Sequence, residues 1–191
     1  SEIEQNLDNI SFIYHLAGEN RPINEDAFYE TNQILTEKIV NCIKRNNRNI
    51  PIVYSSSTQV EENNHYGKSK LRAEEALKTL DRAVIYRLPG VFGKWSKPNY
   101  NSVVSTFAYN CLKGLDLEVN DASKVIKLIY IDEVVNLFLQ NLNEKPLGIV
   151  YPALNNCYEV SLGDLACKML QFKKDHKANK VSNVGSGLER A

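Results

Sequence analysis

A chain of 191 residues with 43% hydrophobic content can bury one sizeable core, and a second full domain is not expected. Twenty-three basic residues balance 23 acidic ones, and no Lys/Arg cluster alternates with aromatics, so the electrostatic footprint of a nucleic-acid binder is missing. No apolar run approaches the roughly 18 residues of a membrane span, and the first residues show no basic segment followed by an apolar one; no membrane association and a cytoplasmic location are expected.

Ile10-Ser11-Phe12-Ile13-Tyr14-His15-Leu16 reads as a buried strand over Ser11 to Leu16, closed by a tight turn at Ala17-Gly18. From about Asn24 to Lys44, Phe28, Leu35, Ile39, Cys42 and Ile43 recur at helical spacing, and Asn46, Asn47 and Asn49 break the helix. Ile50-Pro51-Ile52-Val53-Tyr54 is a second buried strand that ends in Ser55-Ser56-Ser57. A polar loop leads to a helix from Tyr66 to about Leu80, and the next strand runs from Ala83 through Leu88 toward Phe92. The second half suggests a helix from Ser102 to Leu112, short strands around Leu117 and at Lys127 to Tyr130, a helix from Asp132 to Leu142, a strand at Ile149 to Tyr151 and a helix from Ser161 to Phe172. Strands alternating with long helices predict βαβ crossovers and a parallel sheet, an α/β fold.

Cys42, Cys111, Cys157 and Cys167 form no C-x-x-C pair, and His15, His65 and His176 show no metal spacing, so reduced, mostly buried thiols and no metal are expected. His15, inside a predicted strand, reads as a buried and hydrogen-bonded imidazole rather than a ligand.

Tyr66-Gly67-Lys68-Ser69-Lys70 carries the chemistry. Residues i and i+4 share a helix face, so the Tyr66 phenol and the Lys70 ammonium lie one turn apart. Bringing a phenol from its ordinary pKa near 10 to neutrality takes roughly 4 kcal/mol, which a nearby cation can supply. The serines at the end of the second strand would project their hydroxyls at a strand's carboxyl end, where ligands of open α/β sheets sit. Tyrosine and lysine at this spacing also occur by chance on amphipathic helices; the serine run, the short interval to Tyr66 and the strand that follows favour a site.

Together these features resemble the extended short-chain dehydrogenase/reductase family. The resemblance implies a Rossmann-like parallel sheet with a smaller substrate-binding part. Such a sheet normally opens with a strand feeding a glycine-rich turn for the pyrophosphate. No such turn stands near the start, and Gly185-Ser186-Gly187 follows no strand-like run. The expectation is therefore an interior piece lacking its first βαβ portion. Residues 1–93 would be a partial dinucleotide-binding core, and residues 94–191 mainly substrate-binding with returning core elements.

The family's His-Leu-Ala-Ala-like turn corresponds to His15-Leu16-Ala17-Gly18, which implies that Leu16, Ala17 and Gly18 lie against the cofactor. Asn32 matches a helix Asn that buttresses the site. The resemblance implies a catalytic hydroxyl at Ser57, with Thr58 as an adjacent candidate, a proton donor at Tyr66 and a ribose-binding lysine at Lys70. It adds Ser55, Leu88 and Pro89 around the cofactor, which the family implies is NADPH (NADP).

A narrower similarity runs through His15 to Pro22, Gly93 to Ser102 and Val181 to Leu188. These strings resemble the capsular-polysaccharide bifunctional UDP-sugar 3-epimerase/4-ketoreductases, in which a C-terminal cupin domain with a metal performs epimerisation. The resemblance implies a UDP-sugar substrate near Arg21, Gly90, Lys94, Trp95, Lys97, Asn99 and Tyr100. Gly90 stands where the family commonly has Asn. Arg21, Lys94 and Lys97 would meet the UDP pyrophosphate or remain solvated loop charges. Trp95 and Tyr100 would stack on uracil or a sugar face, or simply pack in the loop. Tyr130-Ile131-Asp132-Glu133 resembles a family segment that orders the fold.

The implied activity is NADPH-dependent reduction of the C4 carbonyl of a UDP-linked 4-keto-6-deoxy-2-acetamido sugar, by a homodimer when intact, the present 191 residues alone being inactive. The alternatives are a 4-epimerase or dehydratase of the same superfamily, or a non-catalytic dinucleotide-binding protein. A dehydratase of this branch carries Asp-Glu after its catalytic hydroxyl, whereas Ser57 precedes Thr58-Gln59.

Overall fold

The computed structural model of the chain describes residues 7–46, 48–144, 147–182, 185 and 187–191. Asn47 of the predicted helix break and Asn183, Val184 and Ser186 of the third family-like string lie outside them.

The chain divides into two compact units, one comprising residues up to Pro89 together with Asn136–Leu154, the other Gly90–Val135 together with Asn155–Ala191. In the first unit, strands β1 (Ile13–His15), β2 (Ile52–Ser57), β3 (Arg82–Leu88) and β6 (Gly148–Val150) form a sheet in the order β1-β2-β3-β6. All three pairings are parallel. Helix α1 (Leu35–Arg45) joins β1 to β2, and α2 (His65–Leu77) joins β2 to β3. Parallel neighbours need such crossovers.

Buried on both faces, β2 reads as a nearly continuous apolar run rather than an alternating one. Ile52, Tyr54, Ile85 and Ala83 from the sheet close over Val40 of α1 and Ala73 and Leu77 of α2. Each fully buried aliphatic side chain contributes roughly 1.5 to 3 kcal/mol relative to exposure. Beside this core Leu7, Cys42, Ile43 and Ile50 form a second cluster.

The second unit holds β4 (Gly90–Phe92), β5 (Val125–Tyr130) and β7 (Cys157–Ser161), with β4 parallel and β7 antiparallel to β5. Helix α3 (Val103–Lys113) starts at Ser102, whose hydroxyl accepts from Ser105 N–H. Helix α5 (Leu162–Lys177) starts at Ser161, which accepts from Asp164 N–H. Phe92, Phe107, Leu128, Val160 and Leu165 form this unit's core. Helix α4 (Ile131–Glu144) follows β5 directly, and the chain passes from the second unit to the first within it.

Three predicted elements change. The single helix expected over Asn24 to Lys44 is built as Asp26–Phe28, a π-helical turn at Tyr29–Ile34, and then α1. The wide turn contains Asn32, whose fully buried side chain bonds main chain outside the helix. Among the described residues no strand forms around Leu117, which packs instead on the second unit's core. The strand read from Ala83 to Phe92 is divided at Pro89 into β3 and the three-residue β4, and β7, only partly buried, was not expected. Cys42 and Cys111 are buried as expected, whereas Cys157 is half-buried and Cys167 exposed. Cys167 lies on α5 between the buried Leu165 and Ala166 and the partly buried Lys168, facing outward from that stripe.

Gly67 in the first turn of α2 is fixed by contact rather than by backbone angle. A Cβ there would lie 2.0 Å from the carbonyl oxygen of Gln59, in the 3-10 turn Thr58–Glu61. Gly67→Ala should therefore lower the urea midpoint, since overpacking of this kind costs about 1 to 3 kcal/mol or more. A midpoint equal to wild type, followed by circular dichroism, would show that the turn yields freely.

His15 is 3% exposed, and its Nε2 pairs with the Thr36 hydroxyl at 2.7 Å, as a structural histidine should. Burial first, and the Lys70 charge second, push its pKa down from 6.5 to about 4. The folded state thus disfavours protonation, and stability falls as pH drops from about 6.5 toward 4, by about 3 kcal/mol in all. In His15→Gln this part of the pH dependence of the urea midpoint should disappear; an unchanged slope between pH 6.5 and 4 would refute the assignment.

Candidate functional site

The carboxyl end of β2 and the start of α2 assemble the site in the first unit. Asn64 caps α2, its side-chain oxygen accepting from Gly67 N–H at 2.7 Å, and so fixes Tyr66 in the opening turn. Ser57 ends β2, and its hydroxyl accepts from Gln59 N–H at 3.2 Å to start the 3-10 turn. This leaves the Ser57 hydroxyl hydrogen to donate elsewhere, and the hydroxyl lies near enough to the Tyr66 phenol to favour its charged form. Burial raises the Tyr66 pKa, and the Ser57 contact works against that rise. The phenol therefore keeps its proton at neutral pH.

Lys70, only 4% exposed, points its ammonium into the same place. Nζ donates to the Ser55 carbonyl at 3.0 Å and lies 4.8 Å from the Tyr54 ring centroid and 5.9 Å from that of Tyr66. Among the described residues Ser55 supplies its one hydrogen-bond acceptor. Burial pushes the amine down to about 8, and the negative charge of Glu74 opposes this. The expected lowering of the Tyr66 pKa by Lys70 is not what dominates here: desolvation of the phenol outweighs a cation placed over the ring face.

The turn after β1 forms the adjoining wall. Leu16, Ala17 and Gly18 are exposed. A Cβ on Gly18 would come within 2.8 Å of Lys70 Nζ and 2.9 Å of Asn32 Oδ1, so a side chain there would displace the ends of both groups. Asn32 ties the next residue down on both sides, accepting from Glu19 N–H and donating to Glu19 C=O, each at 2.9 Å, and donates to Ser69 of α2. A flat glycine surface beside a buried ammonium with free N–H donors fits a ribose and its attached nicotinamide. Leu88 and Pro89 are half-buried at the end of β3. Arg21 is exposed, its backbone N–H donating to the Glu19 carboxylate at 2.9 Å. Thr58, the second candidate hydroxyl, is exposed at the start of the 3-10 turn.

The remaining candidates lie in the second unit. Lys94 donates to Asp132 at 2.7 Å across two exposed side chains. It also borders a largely apolar cavity of about 350 Å³ that Phe92, Tyr130, Leu165, Met169 and Leu188 help to line. Lys97 Nζ sits 5.7 Å from the Tyr100 ring centroid. Trp95 is 99% exposed with a left-handed φ of 66°, and Asn99 is left-handed as well, so this loop presents its side chains to solvent instead of packing them. At Gly90 a Cβ would stand 3.1 Å from Leu128 Cδ2 and 3.3 Å from the Lys127 carbonyl. Glycine there matches the close approach of β4 to β5. Of the segment Tyr130 to Glu133, Asp132 holds Lys94 and Glu133 accepts from Asn156 at 2.7 Å.

The sequence reading did not single out Glu74. It is completely buried, and its carboxylate accepts from Ser56 Oγ at 2.5 Å, from Arg87 Nη2 at 2.8 Å and from the Tyr151 hydroxyl at 3.2 Å. Its i+4 spacing from Lys70 was the available signal. Among the described residues no group of His, Cys, Asp or Glu is arranged to hold a metal ion, and no helix is long and apolar enough to cross a membrane.

Known proteins resemble the chain in both sequence and fold. The chain is 41% identical over 187 residues to a UDP-2-acetamido-2,6-beta-L-arabino-hexul-4-ose reductase of Pseudomonas aeruginosa, covering 95% of this chain and 50% of that protein. It superposes on the capsular polysaccharide assembling protein CapF from Staphylococcus aureus with a TM-score of 0.81 and 30% identity, covering 99% of this chain and 53% of the other. The chain thus spans about half the length of both relatives. MoeE5 in complex with UDP-glucose and NAD shares the fold at a TM-score of 0.79 and 18% identity, over 90% of this chain and 65% of that one. Residues 1–153 match the NAD dependent epimerase/dehydratase family, and the chain belongs to it.

Proposed function

We propose that the chain carries the catalytic part of a nucleotide-sugar ketoreductase, which reduces the C4 carbonyl of a UDP-linked 4-keto-6-deoxy-2-acetamido sugar with NADPH, in the synthesis of capsular or surface polysaccharide. The observation that carries this reading is the meeting of the Ser57 hydroxyl, the Tyr66 phenol and the buried Lys70 ammonium around the end of one strand. The similarity to a 4-keto-sugar reductase supports the reaction, and the solved complex with UDP-glucose and NAD supports a sugar nucleotide and a dinucleotide as ligands. The preference for the phosphorylated dinucleotide follows from the resemblance alone. A cytoplasmic homodimer is the setting this reading implies, with the first unit serving the cofactor and the second the sugar nucleotide.

The bound dinucleotide supplies the hydride. Ser57 donates a hydrogen bond to the carbonyl oxygen, and that bond strengthens as the oxygen gains charge. Tyr66 then delivers its proton to the same oxygen. A phenol held protonated by burial suits an acid, provided the tyrosinate it leaves is stabilised; Lys70 does this through the ring face while its free N–H donors hold the ribose.

In the enzyme that contains this chain, Tyr66→Phe should lower kcat by on the order of 100-fold or more and leave dinucleotide affinity nearly unchanged, because it removes the proton and keeps the ring. Steady-state reduction of the 4-keto sugar and a fluorescence titration with NADPH measure the two. Full activity of Tyr66→Phe would exclude it as the acid.

Lys70→Met should weaken both dinucleotide binding and turnover, since one ammonium is assigned to the ribose and to the tyrosinate. Binding retained at wild-type strength in the same titration would remove Lys70 from the cofactor site.

A further inference from the structure

Glu74 lies outside every group given a role in the reaction, yet it is the most heavily engaged side chain near the site. Ser56 and Arg87 are register partners on β2 and β3, so their side chains emerge from the same point of the same sheet face. Glu74 descends onto that point from α2. One carboxylate oxygen takes the Ser56 hydroxyl at 2.5 Å and Arg87 Nε at 3.1 Å. The other takes Arg87 Nη2 at 2.8 Å and the Tyr151 hydroxyl, from the segment after β6, at 3.2 Å. The guanidinium in turn lies 5.2 Å from the Tyr151 ring centroid and reaches Glu61 of the 3-10 turn at 3.5 Å.

We propose that Glu74 is a positioning residue that locks α2 to β2 and β3, and thereby sets the distance from Ser57 to Tyr66 and Lys70. Ser56 immediately precedes Ser57, and Glu74 stands one turn beyond Lys70 and two beyond Tyr66 on the same helix face. Apolar packing of Ala73 and Leu77 alone resists separation of helix and sheet but not sliding along the strand. A directional, side-on pair of hydrogen bonds from guanidinium to carboxylate resists sliding as well. An error of about 1 Å in such an arrangement costs on the order of 100-fold in rate. The same carboxylate also favours the charged form of Lys70 against burial.

This inference rests on the reductase reading above, and the experiment separates the two. In the intact enzyme, Glu74→Gln keeps the side chain's shape but turns one acceptor oxygen into a donor facing donors. It should lower kcat by about 10- to 100-fold while KM for the 4-keto sugar and for NADPH stays within about threefold. In the same variant without dinucleotide, the Lys70 amine, followed by heteronuclear NMR, should titrate below its wild-type position near 8. Ser56→Ala, which removes only the β2 arm of the lock and leaves the ion pair, should lower kcat by a smaller factor and leave the Lys70 titration in place. Wild-type kcat in either variant would overturn the positioning role, and if Glu74→Gln fails to fold, Ser56→Ala decides alone. Should Tyr66→Phe prove fully active in the same assay, the reductase reading fails; its inactivity beside a fully active Glu74→Gln condemns only the lock.

Discussion

The constraint on which the site depends is an ammonium out of water. Placing Lys70 among Tyr54, Tyr66 and the Ser55 carbonyl carries a desolvation cost, seen in an amine pushed down to about 8. Such a group persists only where the surroundings supply acceptors, π faces and a compensating charge. Each of these comes from a different part of the fold: the carbonyl from the end of β2, one ring from within that strand, the second ring from α2, and the negative charge from Glu74. The bare backbone of Gly18 is a fifth element, since a side chain there would force Nζ to shift. The strand, the turn after β1 and the helix are therefore not separately adjustable.

Much of this was legible in the chain. The apolar runs around Ile13, Ile52 and Ile85 marked three parallel strands because buried strands carry no polar alternation. Tyr66 and Lys70 announced themselves by spacing, and the serine run by its place at a strand end. His15 was read as structural and is buried against Thr36. The family followed from the serine run, Tyr66 and Lys70 taken together with the strand that follows, and residues 1–153 match the NAD dependent epimerase/dehydratase family.

What the sequence concealed was set by contacts between distant residues. The π-helical turn exists to serve hydrogen bonds from Asn32 to Glu19 and Ser69, none of which leaves a trace in hydrophobic periodicity. Glu74 offered only its i+4 spacing from Lys70; the pairing of Ser56 with Arg87, which gives its carboxylate partners, joins residues far apart in the chain. The need for glycine at position 67 comes from the Gln59 carbonyl, which lies where its side chain would be. In the second unit, short strands of mixed direction gave no sustained pattern, which is why β7 went unread and β4 was joined to β3.

Trp95 is the one tryptophan of the chain, and it stands almost wholly in solvent on a left-handed loop residue. Its indole emission is accordingly that of a hydrated ring in the native protein and of a hydrated ring in the unfolded one. Intrinsic tryptophan fluorescence from this chain is thus nearly blind to unfolding of either core. It becomes instead a local optical reporter, silent until something covers the loop from Gly93 to Tyr100, so that quenching or a blue shift signals events at that surface alone.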